Sequence, residues 1–354
     1  MTTSKKFRTA LLQWNKLDNK RQMPWKGEKD PYKIWLSEII LQQTRVEQGW
    51  AYYERFIERF PTVQQLAAAR DEQAFKLWEG LGYYNRCKNL LFTARYITEN
   101  YNGRFPDSYP DIVALKGVGP YTAAAIASFA FNLPYAVLDG NVFRVLSRVF
   151  GIDIPIDSTQ GKTLFAELAQ ETLDDTRAGE FNQAIMDFGA TVCKPLAPLC
   201  TVCPMRHFCE AYRHGNVNVL PVKQKVLQKK TRWFSWFVLR VNDKMFIRKR
   251  GSGDIWENLH EFYLVETPAQ PHWNKQELDT LLKNQLAVNN YELENAGPVT
   301  SQQLTHQTIK AQVLTLRLPE IPESLREKEW LPYRKVSQLA FPKLLSQWLA
   351  GWKL

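Results

Sequence analysis

The 354-residue sequence predicts a mainly α N-terminal part followed by an α+β C-terminal part. Three observations predict it. From about residue 5 to 215 the apolar residues recur at helical spacing, with little β-branched alternation. After "VKQKVLQKKTR" at 222–232, which carries five basic residues and no acidic ones, the pattern changes to short alternating runs such as "WFSWFVLRV" and "MFIRKR". Near the end of the helical part, four of the five cysteines crowd into residues 193–209.

Composition narrows the class further. Hydrophobic residues make up 45%, which excludes wholesale disorder. A formal net charge of +10 suggests a polyanionic partner. The opening "MTTSKKFRTALLQWN" has no apolar signal core, so secretion is not expected. The longest uncharged run, Pro120 to Leu138, is broken by Asn132 and Pro134 and reads as a buried helix and turn, not a membrane span. The cysteine usage fits a reduced compartment, and a cytoplasmic, nucleoid-associated monomer is the expectation.

In chain order, Asp30-Pro31 looks like an N-cap followed by proline at the first helical position. The helix it opens carries "WLSEIILQQT", with Glu38 inside an apolar run. Ile34, Glu38 and Leu41 fall on one stripe, flanked by Trp35 and Ile39. A buried carboxylate costs several kcal/mol unless it is paired or protonated, so Glu38 either turns outward or is kept there for use. Later breaks fall at Phe60-Pro61-Thr62, near Gly80 and Gly82, from Gly103 to Pro106, and from Gly117 to Gly119.

The last of these, in "LKGVGPYTAAAIASFAF", permits a tight turn. The helix after it would aim free backbone N–H groups outward from about Pro120, which suits a phosphate. Alone, the same turn also fits an ordinary helix–helix connection. In "VLDGNVFRVLSRVF", Asp139 reads as the N-cap of a helix begun by Gly140-Asn141, rigid and kept ionised by N–H donors.

Cys193, Cys200, Cys203 and Cys209 are spaced C-x6-C-x2-C-x5-C, close enough in sequence to share one metal centre. Only one CxxC pair is present, and the spacing leaves both zinc and an iron–sulfur cluster open. Cys87 has no sequence partner and reads as a structural residue. Beyond the basic stretch, a hairpin turning at Asn242-Asp243-Lys244, strands in "LHEFYLVE" and "AQVLTLRL", and a terminal helix in "FPKLLSQWLAGW" complete the α+β part. Residues 233–354 contain no REx2E-like acidic cluster after a glycine-led loop, so metal-dependent pyrophosphate hydrolysis is not expected.

Together, "PWKGEKDPYKIWLSEIILQQTRV", "WEGLGYYNRCKNL", "LKGVGPYTAAAI", "LDGNVFRVLSR", "FNQAIMDFGATVC" and the four-cysteine loop resemble the adenine DNA glycosylase (MutY) family of the helix-hairpin-helix, or endonuclease III, superfamily. The resemblance runs from about Phe7 to Pro221. It continues more weakly through "GDIWENLHEFYLVE" and "WLPYRKVSQLAFPKLLSQWL", similar to that family's Nudix-like C-terminal domain.

The resemblance implies a helix-hairpin-helix glycosylase domain over 1–221 with a [4Fe–4S] cluster on the cysteine loop, a basic linker at 222–232, and a Nudix-like recognition domain over 233–354. It implies removal of adenine mispaired with 8-oxoguanine or guanine in double-stranded DNA. Glu38 matches the general acid and Asp139 the second catalytic carboxylate. Asn141 belongs with them in "LDGNV", and Tyr121 would position Asp139 or the sugar. Trp25, Lys26, Leu41 and Gln183 match residues around the extruded adenine, Lys26 standing where some members have arginine. Gln43 and Tyr83 match residues that wedge into the base stack, and Gly117 and Gly119 would hold the DNA backbone.

Tyr121 occupies the position of the Schiff-base lysine in the related endonuclease III group, which favours a glycosylase without efficient strand-cleaving activity. The rival reading is a bifunctional pyrimidine glycosylase and lyase of that group. One departure stands out: Leu304, Thr305 and His306 lie where the family often has Phe-Ser-His for recognising 8-oxoguanine. Threonine keeps the hydroxyl; leucine cannot stack as phenylalanine does.

Overall fold

A computed structural model describes residues 2–224 and 229–352. The chain divides into two compact units, Met1–Ala69 with Lys88–Val226, and Arg70–Cys87 with Leu227–Leu354. Within the second unit, two hydrogen bonds tie residues 70–87 to residues 339–341. Lys76 Nζ donates to the Leu339 carbonyl at 2.9 Å, and Phe341 N–H donates to Glu79 Oε1 at 2.9 Å.

The helices are α1 (Thr3–Leu17), α2 (Pro31–Leu41), α3 (Val46–Arg59), α4 (Val63–Ala67), α5 (Asp71–Trp78), α6 (Asn85–Asn100) and α7 (Tyr109–Ala114). They continue with α8 (Pro120–Phe131), α9 (Gly140–Phe150), α10 (Thr159–Thr172), α11 (Ala178–Thr191) and the short α12 (Glu210–Arg213). The core of the first unit lies among α1, α8, α9, α10 and α11, where Phe7, Val145, Phe165, Phe181 and Phe188 are fully or almost fully buried.

Local rules explain where these helices begin and end. Asp30 caps α2 by accepting from Tyr32 N–H at 2.9 Å, with Pro31 at the first helical position, as expected. All residues of α2 from Ile34 to Ile40 are buried, so this helix has no solvent face. The uncharged run from Pro120 forms α8 and stops at Asn132, whose left-handed φ of 52° closes it. Among the described residues no helix is long and apolar enough to cross a membrane.

The second unit is built on a sheet of β1 (Lys230–Val241), β2 (Lys244–Lys249), β3 (His260–Glu261), β4 (Tyr263–Thr267), β5 (Glu292–Ala296), β6 (Thr300–Gln303), β7 (Gln307–Arg317) and β8 (Glu329–Pro332). Its path runs β3-β2-β1-β7-β5, with β4 on β1, β6 on β7 and β8 on β2. β1 and β7 are parallel in register from Lys230↔Gln307 to Arg240↔Arg317; the remaining pairs are antiparallel. Helix α13 (Lys275–Leu286) buries Leu278, Leu282 and Leu286 against Phe237, Leu239, Leu314 and Leu316. The short α14 (Tyr333–Val336) and the expected terminal helix α15 (Lys343–Gly351) follow.

Two sequence expectations shift at their edges. The hairpin turn is narrower than expected, because Lys244 already pairs with Val241 and leaves Asn242, at φ 54°, and Asp243 to turn the chain. The expected linker over 222–232 ends early. Strand β1 starts at Lys230, held by its parallel partner β7, and residues 225–228 of that stretch lie outside the described residues.

Candidate active site

Helix α2 places Glu38 in a wall shared by two cavities of the first unit. One, of about 460 Å³, is lined by Trp25, Leu41, Gln43, Tyr121, Asp139, Asn141 and Gln183 among others. The second, of about 270 Å³, has Trp25, Lys26, Ile34, Ser37, Glu38 and Gln183 in its wall. The stripe read from the sequence therefore borders the cavities from both ends, Ile34 on the smaller and Leu41 on the larger. Glu38 is only 5% exposed. Burial pushes its carboxyl up to about 7, a shift opposed by a hydrogen bond from Tyr121 and reinforced by the nearby charge of Asp139.

Asp139 has the opposite setting. As the N-cap of α9, its Oδ1 accepts from Asn141 N–H and Val142 N–H, both at 2.8 Å, and its Oδ2 accepts from Asn141 Nδ2 at 2.7 Å. Burial still raises the Asp139 carboxyl above its ordinary value, against the pull of these donors and of Arg144. The sequence reading, which weighed the donors alone, missed that contribution. Between the two carboxyls, Asp139 is the better-solvated anion, with three N–H donors against a single hydroxyl at Glu38.

For Tyr121 the expected partners were Asp139 or the sugar. Its hydroxyl hydrogen-bonds Glu38, not Asp139, and approaches Met186 Sδ at 3.9 Å. Trp25 is buried, edge-on to Tyr53 at 5.3 Å, and forms part of both cavities. Lys26 borders the smaller cavity, but its ammonium is committed to Asp187 Oδ2 and the Arg21 carbonyl, each at 2.9 Å. Among the described residues, the 460 Å³ cavity has no lysine in its wall.

Gln43 and Tyr83 both hold left-handed backbone, at φ 57° and 50°, and both are exposed. Such conformations are uncommon away from glycine and concentrate where function requires them. Gly117, at φ 82°, makes the turn before α8; a β-carbon there would meet Asn89 at 2.8 Å. Gly119 caps α8, and a β-carbon there would meet nothing within 4 Å, as suits a helix N-terminus that receives a phosphate. In the second unit, Leu304 to His306 form the turn between β6 and β7, where the Thr305 and Tyr83 hydroxyls hydrogen-bond each other.

Several residues that position the site were not read from the sequence. Arg144 donates to Asn141 Oδ1 at 2.8 Å, to the Gly189 carbonyl at 2.7 Å and to the Cys193 carbonyl at 2.7 Å. It thereby holds the amide that serves Asp139. Gly189 leaves room for this arrangement, because a β-carbon there would sit 2.6 Å from Asn141 Cβ. The available signal was an arginine on the apolar face of α9, where Arg144 and Arg148 recur four residues apart.

The four loop cysteines form no disulfide and lie close enough to perturb one another electrostatically. Burial raises the Cys200, Cys203 and Cys209 thiols, Cys203 to about 12. Arg148 points a guanidinium N–H at Cys193 Sγ at 3.5 Å and also bonds the Lys194 carbonyl at 2.8 Å. Among the described residues, no three His, Cys, Asp or Glu converge as around one metal ion. Cys87, buried and with its thiol pushed up, keeps the structural role expected of it.

Comparison with known proteins agrees with this geometry. Residues 36–171 match the HhH-GPD superfamily of base excision DNA repair proteins, and residues 235–351 match the NUDIX domain. The chain is 31% identical over 352 residues to an adenine DNA glycosylase of Buchnera aphidicola from Acyrthosiphon pisum, covering 98% of this chain and 97% of that one. It is 42% identical over 227 residues to the Mus musculus adenine DNA glycosylase, 61% of this chain and 44% of the other. Among solved structures, a thermostable thymine-DNA glycosylase aligns with a TM-score of 0.56 at 30% identity, over 60% of this chain and 97% of that one. An endonuclease III–DNA complex aligns at 0.52 and 22% identity, over 61% and 99%, which speaks to the fold alone. With a relative matched from end to end and both domains recognised, the chain belongs to the adenine DNA glycosylase family.

Proposed function

We propose that this DNA glycosylase hydrolyses the N-glycosidic bond of adenine paired with 8-oxoguanine or guanine, using Glu38 and Asp139 as unlike carboxyls. The observation that carries this reading is Glu38, buried in the wall of a 460 Å³ cavity that also holds Asp139, with its carboxyl pushed up to about 7. An adenine inside a duplex is out of reach, so the nucleotide must be extruded, at a cost of roughly a few kcal/mol. Gln43, already in left-handed backbone, would fill the space it leaves, and Tyr83 in the second unit carries the same backbone conformation. The N-terminus of α8 behind Gly119 would hold a phosphate through backbone N–H groups.

In the reaction, protonated Glu38 donates to adenine N7 while the bond from C1′ to N9 lengthens. The leaving base takes the bonding electrons, and the sugar becomes an oxocarbenium-like cation. Asp139, held by its three donors, stabilises that cation. Glu38, now ionised, accepts a proton from the attacking water, which returns it to the acid form. Tyr121 steadies Glu38 through its hydroxyl. Among the described residues the 460 Å³ cavity has no lysine in its wall, and the two on the smaller cavity are engaged, Lys26 with Asp187 and Lys29 with the Phe129 carbonyl, which argues against the lyase alternative.

Cys193, Cys200, Cys203 and Cys209 would hold a [4Fe–4S] cluster. Their sulfurs share one loop, near enough to influence one another electrostatically, and Arg148 aims a guanidinium N–H at Cys193 Sγ at 3.5 Å, a donor suited to thiolate ligands. When bound, the cluster supplies a rigid polynuclear centre that ties the loop together and displaces the thiol protons.

Single-turnover excision with the full chain tests the reading. Adenine opposite 8-oxoguanine is expected to be released, with no borohydride-trapped adduct, and faster than adenine opposite thymine. Equal rates on the two pairs would sink the mispair specificity, and a trapped adduct would restore the lyase.

A further inference from the structure

Aspartate 187 on α11 lies outside every role described so far, yet its side chain is fully buried and serves four donors. Oδ1 accepts from Arg21 Nη1 and Gln183 Nε2, and Oδ2 from Asn19 Nδ2 and Lys26 Nζ, each at 2.9 Å. A carboxylate has about four acceptor sites, and all four are occupied. Gln183 lies one turn earlier on α11 and borders both cavities beside Glu38. Its amide can orient in two ways, presenting either oxygen or nitrogen to the base. Only one orientation is compatible with a carboxylate behind it: the amide nitrogen must face Asp187, which leaves the oxygen to the cavity.

We infer that Asp187 is a positioning residue that locks the Gln183 amide with its oxygen toward the cavity, making the site selective for a purine that carries an exocyclic amine. The inference deepens the proposed function and rests on it. An acceptor fixed in that position pairs with the N6 amine of adenine. The same acceptor meets a 6-oxo purine oxygen to oxygen, leaving two acceptors facing each other without a proton. Buried groups built for one hydrogen-bond pattern reject the opposite one more strongly than shape alone does. Arg21 and Lys26 contribute by neutralising the carboxylate, so that its charge does not oppose the leaving base.

The test compares single-turnover release of adenine, unsubstituted purine and hypoxanthine, each opposite 8-oxoguanine, by the full chain. Asp187→Leu removes the acceptors while keeping the number and branching of side-chain heavy atoms, and Arg21 and Lys26, about a fifth to a quarter exposed, can turn to solvent. Adenine release is expected to fall roughly 10- to 100-fold, while purine release changes by less than about threefold and adenine's advantage over hypoxanthine collapses. Gln183→Met, which leaves the other three partners of Asp187 in place, is expected to give the same fall in the adenine-to-purine ratio, and the double variant no further fall.

Equal losses on adenine and purine would make Asp187 merely structural and overturn the inference. So would an unchanged ratio in Gln183→Met, which also decides the matter if Asp187→Leu fails to fold. Failure of the underlying function would look different: the unaltered chain would release no adenine at all.

Discussion

The middle of α2 and the start of α9 each bring a carboxyl to the same cavity, and the chain treats them in opposite ways. Glu38 sits where its helix is buried on every side, with its backbone neighbours already paired within the helix and one hydroxyl within reach. Asp139 sits at a helix beginning, where unpaired N–H groups converge on it and Arg144 steadies the Asn141 amide. Burial raises both, but Asp139 has three N–H donors to offset the cost of its charge where Glu38 has one hydroxyl. Position along a helix thus sorts two similar groups into an acid and an anion, the division that bond cleavage with protonation of the leaving group requires.

Breaking one side at a time tests that division. Glu38→Gln is expected to slow single-turnover adenine excision by about 10²- to 10⁴-fold, the usual range for loss of a general acid. Near-normal excision would reassign the acid. Asp139→Asn keeps the cap's shape but removes the anion, with an expected loss of roughly 10²- to 10³-fold. If substrate binding rather than the chemical step fell by that factor, the electrostatic role would be lost.

Stability provides a readout independent of catalysis. Glu38 has its folded value raised from 4.5 to about 7, so its contribution is fully present below pH 4.5 and is lost as pH rises through 7. At pH 8 the buried group carries a penalty of up to about 3 kcal/mol. Glu38→Gln should therefore raise the unfolding midpoint at pH 8 and leave it nearly unchanged at pH 4. The same gain at both pH values would mean that the carboxyl is not titrating.

The pH–rate profile sharpens the comparison further. Excision should hold up to about pH 7 and then fall toward tenfold per unit, as Glu38 loses its proton. An acid limb should begin above the ordinary aspartate value of 3.8, where Asp139 protonates. Residual activity in Glu38→Gln should lack the alkaline limb, and that in Asp139→Asn the acid limb. A smaller effect is expected from Gly189→Ala, whose added carbon would press on Asn141. Relieving a 2.6 Å contact needs a shift of roughly 1 Å, which should cost up to about 10²-fold in rate with little change in DNA affinity.

Much of this was legible in the residues. The cap at Asp30-Pro31, the break at Asn132, the glycine turn before α8 and the cap at Asp139 follow from local chemistry, and the structure has each of them. Tyr121 was less legible. Its motif marked it as part of the site, but its hydroxyl went to Glu38 because the packing of α2 against α8 decides which carboxyl it faces. The extent of the second unit was also hidden, since the hydrogen bonds of Lys76 and Glu79 to residues 339–341 span more than 260 positions.

The sequence by itself determined the helical and mixed parts, the two carboxyls, the cysteine loop and the family, because caps, turns and motifs depend on neighbours a few residues away. Only the tertiary structure decided which groups serve those residues. Whether Glu38 turned outward or inward, which oxygen Tyr121 met, and why Lys26 and Gln183 converge on Asp187 were matters of packing between distant helices. A carboxyl's burial and its donors set its proton affinity, and both are supplied by segments that no local pattern can bring together.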